Sequence, residues 1–109
     1  RWDLRPFFEN PCLPILQPDP ARGGFTELRK IAATADTWGI TIAPHHFPEL
    51  MVQLMASIPN GHILEYMDWF DDLFIDPPRP INGMMRPPEA PGHGLVLNRD
   101  MIKEHTIKG

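Results

Sequence analysis

Three ionisable residues stand where a short apolar run gives way to a turn. Asp19 follows Leu13-Pro14-Ile15-Leu16-Gln17, His45 follows Ile40-Thr41-Ile42-Ala43, and Glu65 lies near the end of His62-Ile63-Leu64-Glu65-Tyr66. A carboxylate that accepts a hydrogen bond from one imidazole nitrogen fixes the tautomer and raises the basicity of the other nitrogen. Asp19 beside His45 would therefore make a general base or acid near neutral pH. The plainer reading is that Asp19, between Pro18 and Pro20, builds a turn and His45 is a loop histidine. Glu65 interrupts an apolar run, where a carboxylate costs free energy unless it is paired or protonated. A raised pKa would let it donate a hydrogen bond to a substrate oxygen; an ion pair at a strand end is the structural alternative.

The remaining reactive types carry less. His45 and His46 are adjacent and are expected to point apart, and His62, His93 and His105 show no zinc-finger or zincin spacing, so no metal site is expected from this chain alone. Gly23-Gly24 could admit a phosphate at a helix start, although tight strand-to-helix packing is the simpler use of such a pair. Met51, Met55, Met84, Met85, Trp38 and Trp69 read as core or interface packing. The single Cys12 cannot form an internal disulfide, and its apolar flanks suggest a buried, reduced thiol in a reducing, cytoplasmic compartment.

The positions of the three ionisable residues matter because of the elements around them. Leu28, Ile31, Ala32, Ala35 and Trp38 recur at helical spacing after Gly23-Gly24, and Gly39 supplies the left-handed residue that ends helices. Pro48 suits a first helical turn, Leu50, Met51, Leu54, Met55 and Ile58 form the stripe that follows, and Pro59-Asn60-Gly61 stops it. Strands at 13–17, 40–43 and 62–66 alternating with these helices predict βαβαβ, an α/β fold with parallel strands and right-handed crossovers. In such folds the chemistry lies at the carboxyl ends of the strands, so Asp19, His45 and Glu65 should share one rim.

Composition narrows the function classes. The 109 residues hold 10 Lys and Arg against 14 Asp and Glu, which gives no basic face for nucleic acid or an anionic membrane. Hydrophobic residues at 42% and charged residues at 22% fit a folded soluble chain rather than a disordered one. Proline is the anomaly at 14 residues, and six of these, Pro77, Pro78, Pro80, Pro87, Pro88 and Pro91, crowd the last third. The chain divides near Asp68 into an alternating part, 1–67, and a Pro-rich closing segment, 68–109, which Trp69, Phe70, Phe74 and an Asn82-Gly83 hairpin turn mark as ordered. The opening Arg1-Trp2-Asp3-Leu4-Arg5 has neither a methionine nor an apolar signal core, as expected of a chain that starts inside a longer one.

Gln17-Pro18-Asp19, Arg22-Gly23-Gly24-Phe25-Thr26-Glu27, Gly39-Ile40-Thr41-Ile42-Ala43-Pro44-His45, Glu49, Ile58-Pro59-Asn60-Gly61, Leu64-Glu65-Tyr66 and Pro91-Gly92-His93-Gly94-Leu95 together resemble the C-terminal part of the enolase superfamily, mandelate racemase subgroup. The resemblance runs through nearly the whole chain. It implies the last three strands of a (β/α)7β TIM-like barrel, with residues 1–11 as the preceding helix region and the Pro-rich segment packed on a capping domain. It further implies that Asp19 and His45 form the catalytic dyad and that Glu65 contacts the substrate carboxylate and its enediolate. The family usually has one more residue between the arginine and the glycine pair than Arg22-Gly23 shows.

By the same resemblance the parent enzyme uses Mg²⁺, held by acidic ligands upstream of this chain, to stabilise the enediolate left when a proton is taken from the carbon beside a carboxylate. The implied partners are a small carboxylate substrate such as an acid sugar, the rest of the barrel with its capping domain, and further copies in a homo-oligomer. An acid-sugar (aldonate or aldarate) dehydratase is favoured over a racemase or epimerase of 2-hydroxy acids, because dehydration is the commoner activity among relatives with these motifs. This chain alone is expected to be inactive. The reading from another class is a non-catalytic α/β module whose open sheet edges and tail serve a partner chain.

Overall fold

The runs at 13–17 and 40–43 become neighbouring parallel strands in the computed structural model, which describes residues 1–10 and 12–107. β1 (Ile15–Leu16) pairs with β2 (Thr41–Ile42), placing Ile15 opposite Thr41 and Leu16 opposite Ile42. Amides of Thr41, Ala43 and His45 donate to the carbonyls of Pro14, Leu16 and Pro18 at 3.1, 2.9 and 3.2 Å. The last of these bonds carries the ladder beyond both strands and sets the turns after β1 and β2 side by side.

Helices bracket this pair. Trp2–Leu4 forms a 3₁₀ turn that runs into α1 (Arg5–Glu9), while Pro11, at the end of the helix region expected there, lies outside the described residues. α2 (Pro20–Thr37) begins with proline in its first turn and is interrupted at Gly24, whose φ of 67° and ψ of 172° separate a single opening turn from the main helix. A residue with a Cβ resists that left-handed backbone, so the second glycine of the pair is needed for conformation. Tight packing against a strand is not what the pair provides. A Cβ on Gly23 would meet Glu27 of the same helix, and one on Gly24 would meet open space.

Leu28, Ile31, Ala32 and Ala35 of α2 are buried as their spacing predicts, but Trp38, one residue past the helix, is half exposed and lies beside Phe8 with ring centroids 6.5 Å apart. Gly39 follows with φ 68° and reverses the chain into β2. α3 (Pro48–Ser57) buries Met51 and Leu54, with Leu50, Met55 and the following Ile58 packed at the margin. Val52 and Glu49 are buried too, outside the predicted stripe. Met51 and Leu54 join Leu16, Ile42, Ile40, Phe8 and the buried face of α2 in one core between strands and helices. Asn60 fastens its edge: its buried side-chain amide donates to the carbonyls of Ala32 and Ile40, each at 3.0 Å.

The third expected strand is reduced to a single parallel bridge between Ile42 and Gly61, made by Ile42 N–H to Asn60 O and His62 N–H to Ile42 O, both 2.8 Å. Beyond His62 no ladder forms. A central parallel strand is stabilised by partners on both sides; among the described residues this segment has one, and Ile63 is left exposed.

The closing segment is ordered by its own short sheet. β3 (Phe74–Ile75) pairs antiparallel with β4 (Val96–Leu97), and α4 (Arg99–His105) follows, capped by the Asn98 side chain accepting from Met101 N–H. Asn82 and Gly83, at φ 52° and 75°, make the expected tight turn, with Ile81 and Met84 exchanging both backbone hydrogen bonds at 2.7 and 3.0 Å. Met84 and Trp69 are exposed rather than core, and so is Cys12. Apolar neighbours in sequence do not bury a residue when no second layer covers its segment, and Leu13 beside Cys12 is exposed as well. Among the described residues no helix is long and apolar enough to cross a membrane.

Candidate functional site

β1 and β2 deliver Asp19 and His45 to the same rim, but their side chains do different work. Asp19 is the N-cap of α2, its Oδ1 accepting from Ala21 N–H at 2.7 Å. Such a cap satisfies one of the unpaired amides of a helix start and contributes about 1 kcal/mol. His45 instead meets Glu65: Nδ1 lies 2.9 Å from Glu65 Oε2. The carboxylate that addresses the imidazole is thus the one from the third run. The turn-building role foreseen as the alternative for Asp19 is the one its carboxylate performs here.

Glu65 Oε2 also accepts from the backbone N–H of His46 at 2.9 Å. This amide bond, more than the neighbouring imidazole of His45, holds the Glu65 carboxyl below its usual range against an opposing desolvation effect. A raised pKa is expected from the apolar run, but the strand tip is partly solvated and supplies a donor to the charged form. Glu65 is therefore an anion poised to orient His45: with Nδ1–H donating to the carboxylate, Nε2 carries the lone pair.

His46 is held by backbone geometry. Both His46 and Phe47 adopt left-handed conformations, φ 60° and 52°, immediately before Pro48 opens α3. For non-glycine residues this costs about 1 kcal/mol or more each, and persists only where the surroundings impose it. Phe47 stacks on Phe70 at 5.3 Å with planes 3° apart, and His46 lies 5.5 Å from Trp69. The consequence is that the rings of His45 and His46 do not point apart; their centroids are 3.7 Å apart. One ligand atom each from His45, His46 and Glu65 fall within 4.8 Å of one another, a donor cluster that sequence spacing did not foretell.

A second polar group lies directly after the rim. Asp71, buried behind Tyr66, accepts from Tyr66 Oη–H at 3.1 Å and Arg79 Nε–H at 2.8 Å. Desolvation and the Asp71 contact both push the Tyr66 hydroxyl above its ordinary pKa, so it remains a donor. Glu49, in the first turn of α3, is nearly inaccessible; burial raises its pKa more than its own backbone N–H lowers it, and the charge of Asp71 adds to the rise. Neither Asp71 nor His46 stands out in the sequence, since Asp71 lies in no motif and His46 depends on an unforeseen backbone conformation.

Known proteins resemble this chain in sequence and fold. Residues 1–101 match the family described as enolase C-terminal domain-like. D-xylonate dehydratase of Haloferax volcanii is 36% identical over 119 aligned residues, covering 100% of this chain and 29% of the dehydratase. Among solved structures, L-talarate dehydratase from a Polaromonas species, complexed with Mg and L-glucarate, is 33% identical with a TM-score of 0.86 over 95% of this chain and 29% of its own. A mandelate racemase/muconate lactonizing enzyme from the same genus is 34% identical, TM-score 0.80, over 87% and 26%. The chain therefore spans under a third of the length of these relatives. With parallel strands that end in Asp19 and His45, and a match that runs through nearly all of it, this chain belongs to the enolase C-terminal domain-like family, as the C-terminal part of a mandelate racemase-type barrel.

Proposed function

We propose that this chain completes the active site of an acid-sugar dehydratase, with His45 as the group that moves protons to or from the substrate. The observation that carries the reading is the His45–Glu65 pair, 2.9 Å apart on the strand rim of a chain similar over its full length to a D-xylonate dehydratase. The overall reaction removes a proton from the carbon beside a carboxylate and a hydroxyl from the next carbon. Water leaves, and the enol that remains becomes a 2-keto-3-deoxy acid. His45 Nε2, turned away from Glu65, accepts the carbon-bound proton or returns it to the departing hydroxyl.

Glu65 has two parts to play. As an anion it fixes the His45 tautomer; the approach of a substrate carboxylate favours its protonated form, in which it donates to a substrate oxygen. Asp19 contributes by capping α2 and so holding the turn beside His45 in place.

Magnesium, present in the talarate dehydratase structure, does not fit the rim of this chain. It asks for about six oxygen ligands, whereas the rim offers two imidazoles and the Glu65 carboxylate, Asp19 being taken up by the helix cap. Its ligands belong to the remainder of the enzyme, with the capping domain and the features that choose the sugar, so this chain alone has no turnover.

The test is a panel of aldonates and aldarates offered to the complete enzyme with Mg²⁺, read as 2-keto-3-deoxy acid. At least one should be dehydrated, and His45→Asn should lower kcat by 10³-fold or more while Mg²⁺ still binds. Proton exchange at the α-carbon without loss of water would show a racemase instead. Loss of Mg²⁺ binding in His45→Asn would show that His45 has been given the wrong role.

A further inference from the structure

Sequence spacing gives no reason to expect a metal site, yet the folded chain gathers one imidazole atom from His45, one from His46 and a carboxylate oxygen from Glu65 within 4.8 Å. We propose that these three side chains bind a divalent transition-metal ion of the zinc type. Two imidazoles and one carboxylate are a donor set that zinc uses, leaving a fourth position open to water. Magnesium disfavours it, being a hard ion that takes oxygen ligands.

One ligand pair already stands at bonding range, and the His46 ring closes in from within 4.8 Å. With metal–ligand bonds of about 2.0 Å, ligands around a tetrahedral zinc stand about 3.3 Å apart, and His45 Nδ1 and Glu65 Oε2 are already at 2.9 Å. A metal replaces the proton shared between them. The His46 amide, bonded to the same Oε2 at 2.9 Å, keeps the carboxylate in place from the second shell. The left-handed backbone at His46 and its contact with Trp69 hold the third ligand's ring beside that of His45, so the strain here has a role beyond starting α3. The side chains of His45 and Glu65 are 44% and 39% exposed, so an ion enters without opening the core.

Occupancy would engage the imidazole and carboxylate that the dehydratase reading assigns to catalysis. Zinc would then inhibit turnover; that consequence rests on the dehydratase reading, whereas the binding itself does not.

The experiment is a calorimetric zinc titration of the complete enzyme in excess Mg²⁺, which fills the hard-ion site, with Co²⁺ as a spectroscopic probe. One zinc per chain should bind at micromolar concentration or tighter, and Co²⁺ should give the intense visible absorption of a tetrahedral nitrogen-and-oxygen site. His46→Asn removes the imidazole while keeping a residue that tolerates the left-handed backbone. It should weaken zinc at least tenfold, and Glu65→Gln should do the same with circular dichroism unchanged. His62→Ala, away from the cluster, should leave affinity unaltered. No saturable zinc under excess Mg²⁺, or wild-type affinity in both His46→Asn and Glu65→Gln, overturns the proposal. Failure of dehydration alone leaves the zinc result intact.

Discussion

The residue scale separates three carboxylates by their surroundings. Glu65 is charged because an amide and an imidazole meet it at a solvated strand tip, Asp19 is spent on the end of α2, and Glu49 is buried. For Glu49 the raised pKa means that the folded state favours the protonated carboxyl. Its contribution to stability is complete below the unfolded pKa, about 4.3, and is lost as pH rises through the higher folded value. Glu49→Gln, which mimics the protonated form, should therefore raise the thermal midpoint at pH 7 and leave it nearly unchanged near pH 4. A midpoint lowered at pH 7 and unchanged near pH 4 would mean that the carboxylate has a partner that stabilises its charge. Asp19→Ala should cost about 1 kcal/mol through the lost cap, or about 4–8 °C in midpoint for a unit of this size, a loss that Asp19→Asn should largely avoid.

At the element scale, what could be read in the sequence was what local chemistry decides. The two helical stripes, the stop at Gly39, the proline start of α3 and the Asn82-Gly83 turn all follow from side-chain spacing and backbone preference within a few residues. The third strand did not form as expected because strand formation depends on neighbours, and His62 to Tyr66 finds one bridge only. Pairing of Phe74–Ile75 with Val96–Leu97 joins segments about twenty residues apart across a proline-rich loop, and no local signal announces it. The same division holds within the site. The strand tips carrying Asp19 and His45 were legible, whereas Glu65 lies beyond a single bridge and its pairing with His45 was not legible, because that pairing turns on the cap of α2 and on the left-handed turn at His46 and Phe47. Gly24→Ala tests the break that shapes the β1–α2 connection: with φ at 67° it should destabilise by about 1 kcal/mol or more, although the added methyl group meets no atom within 4 Å. An unchanged midpoint would show that the backbone there relaxes freely.

For the whole molecule, size and surface disagree with a self-sufficient domain. The radius of gyration is 15.7 Å and the accessible surface 7840 Å², against about 13 Å and roughly 6,200 Å² for a compact chain of this length. Trp2, Trp69, Ile63 and Ile81 are all more than 60% exposed, and the parallel strand pair has an open edge, a combination that invites association. The isolated chain should therefore associate with rising concentration in sedimentation experiments, and should release no product from acid sugars. A stable monomer at high concentration would favour an independent α/β module. The proline density of the closing segment suits a chain that leaves a barrel and runs irregularly over another surface, which is the role proposed for residues 68–109.

The central claim, that His45 moves a proton at the carbon beside a carboxylate, is tested most directly by nuclear magnetic resonance of acid sugars incubated in D₂O with Mg²⁺ and the complete enzyme. Deuterium should appear at the carbon-bound position that His45 serves, in the acid sugar or in its dehydrated product. His45→Asn should abolish it with Mg²⁺ affinity unchanged. Exchange or turnover at the wild-type rate in His45→Asn, or no exchange and no dehydration with any acid sugar in the wild-type enzyme, would contradict the account.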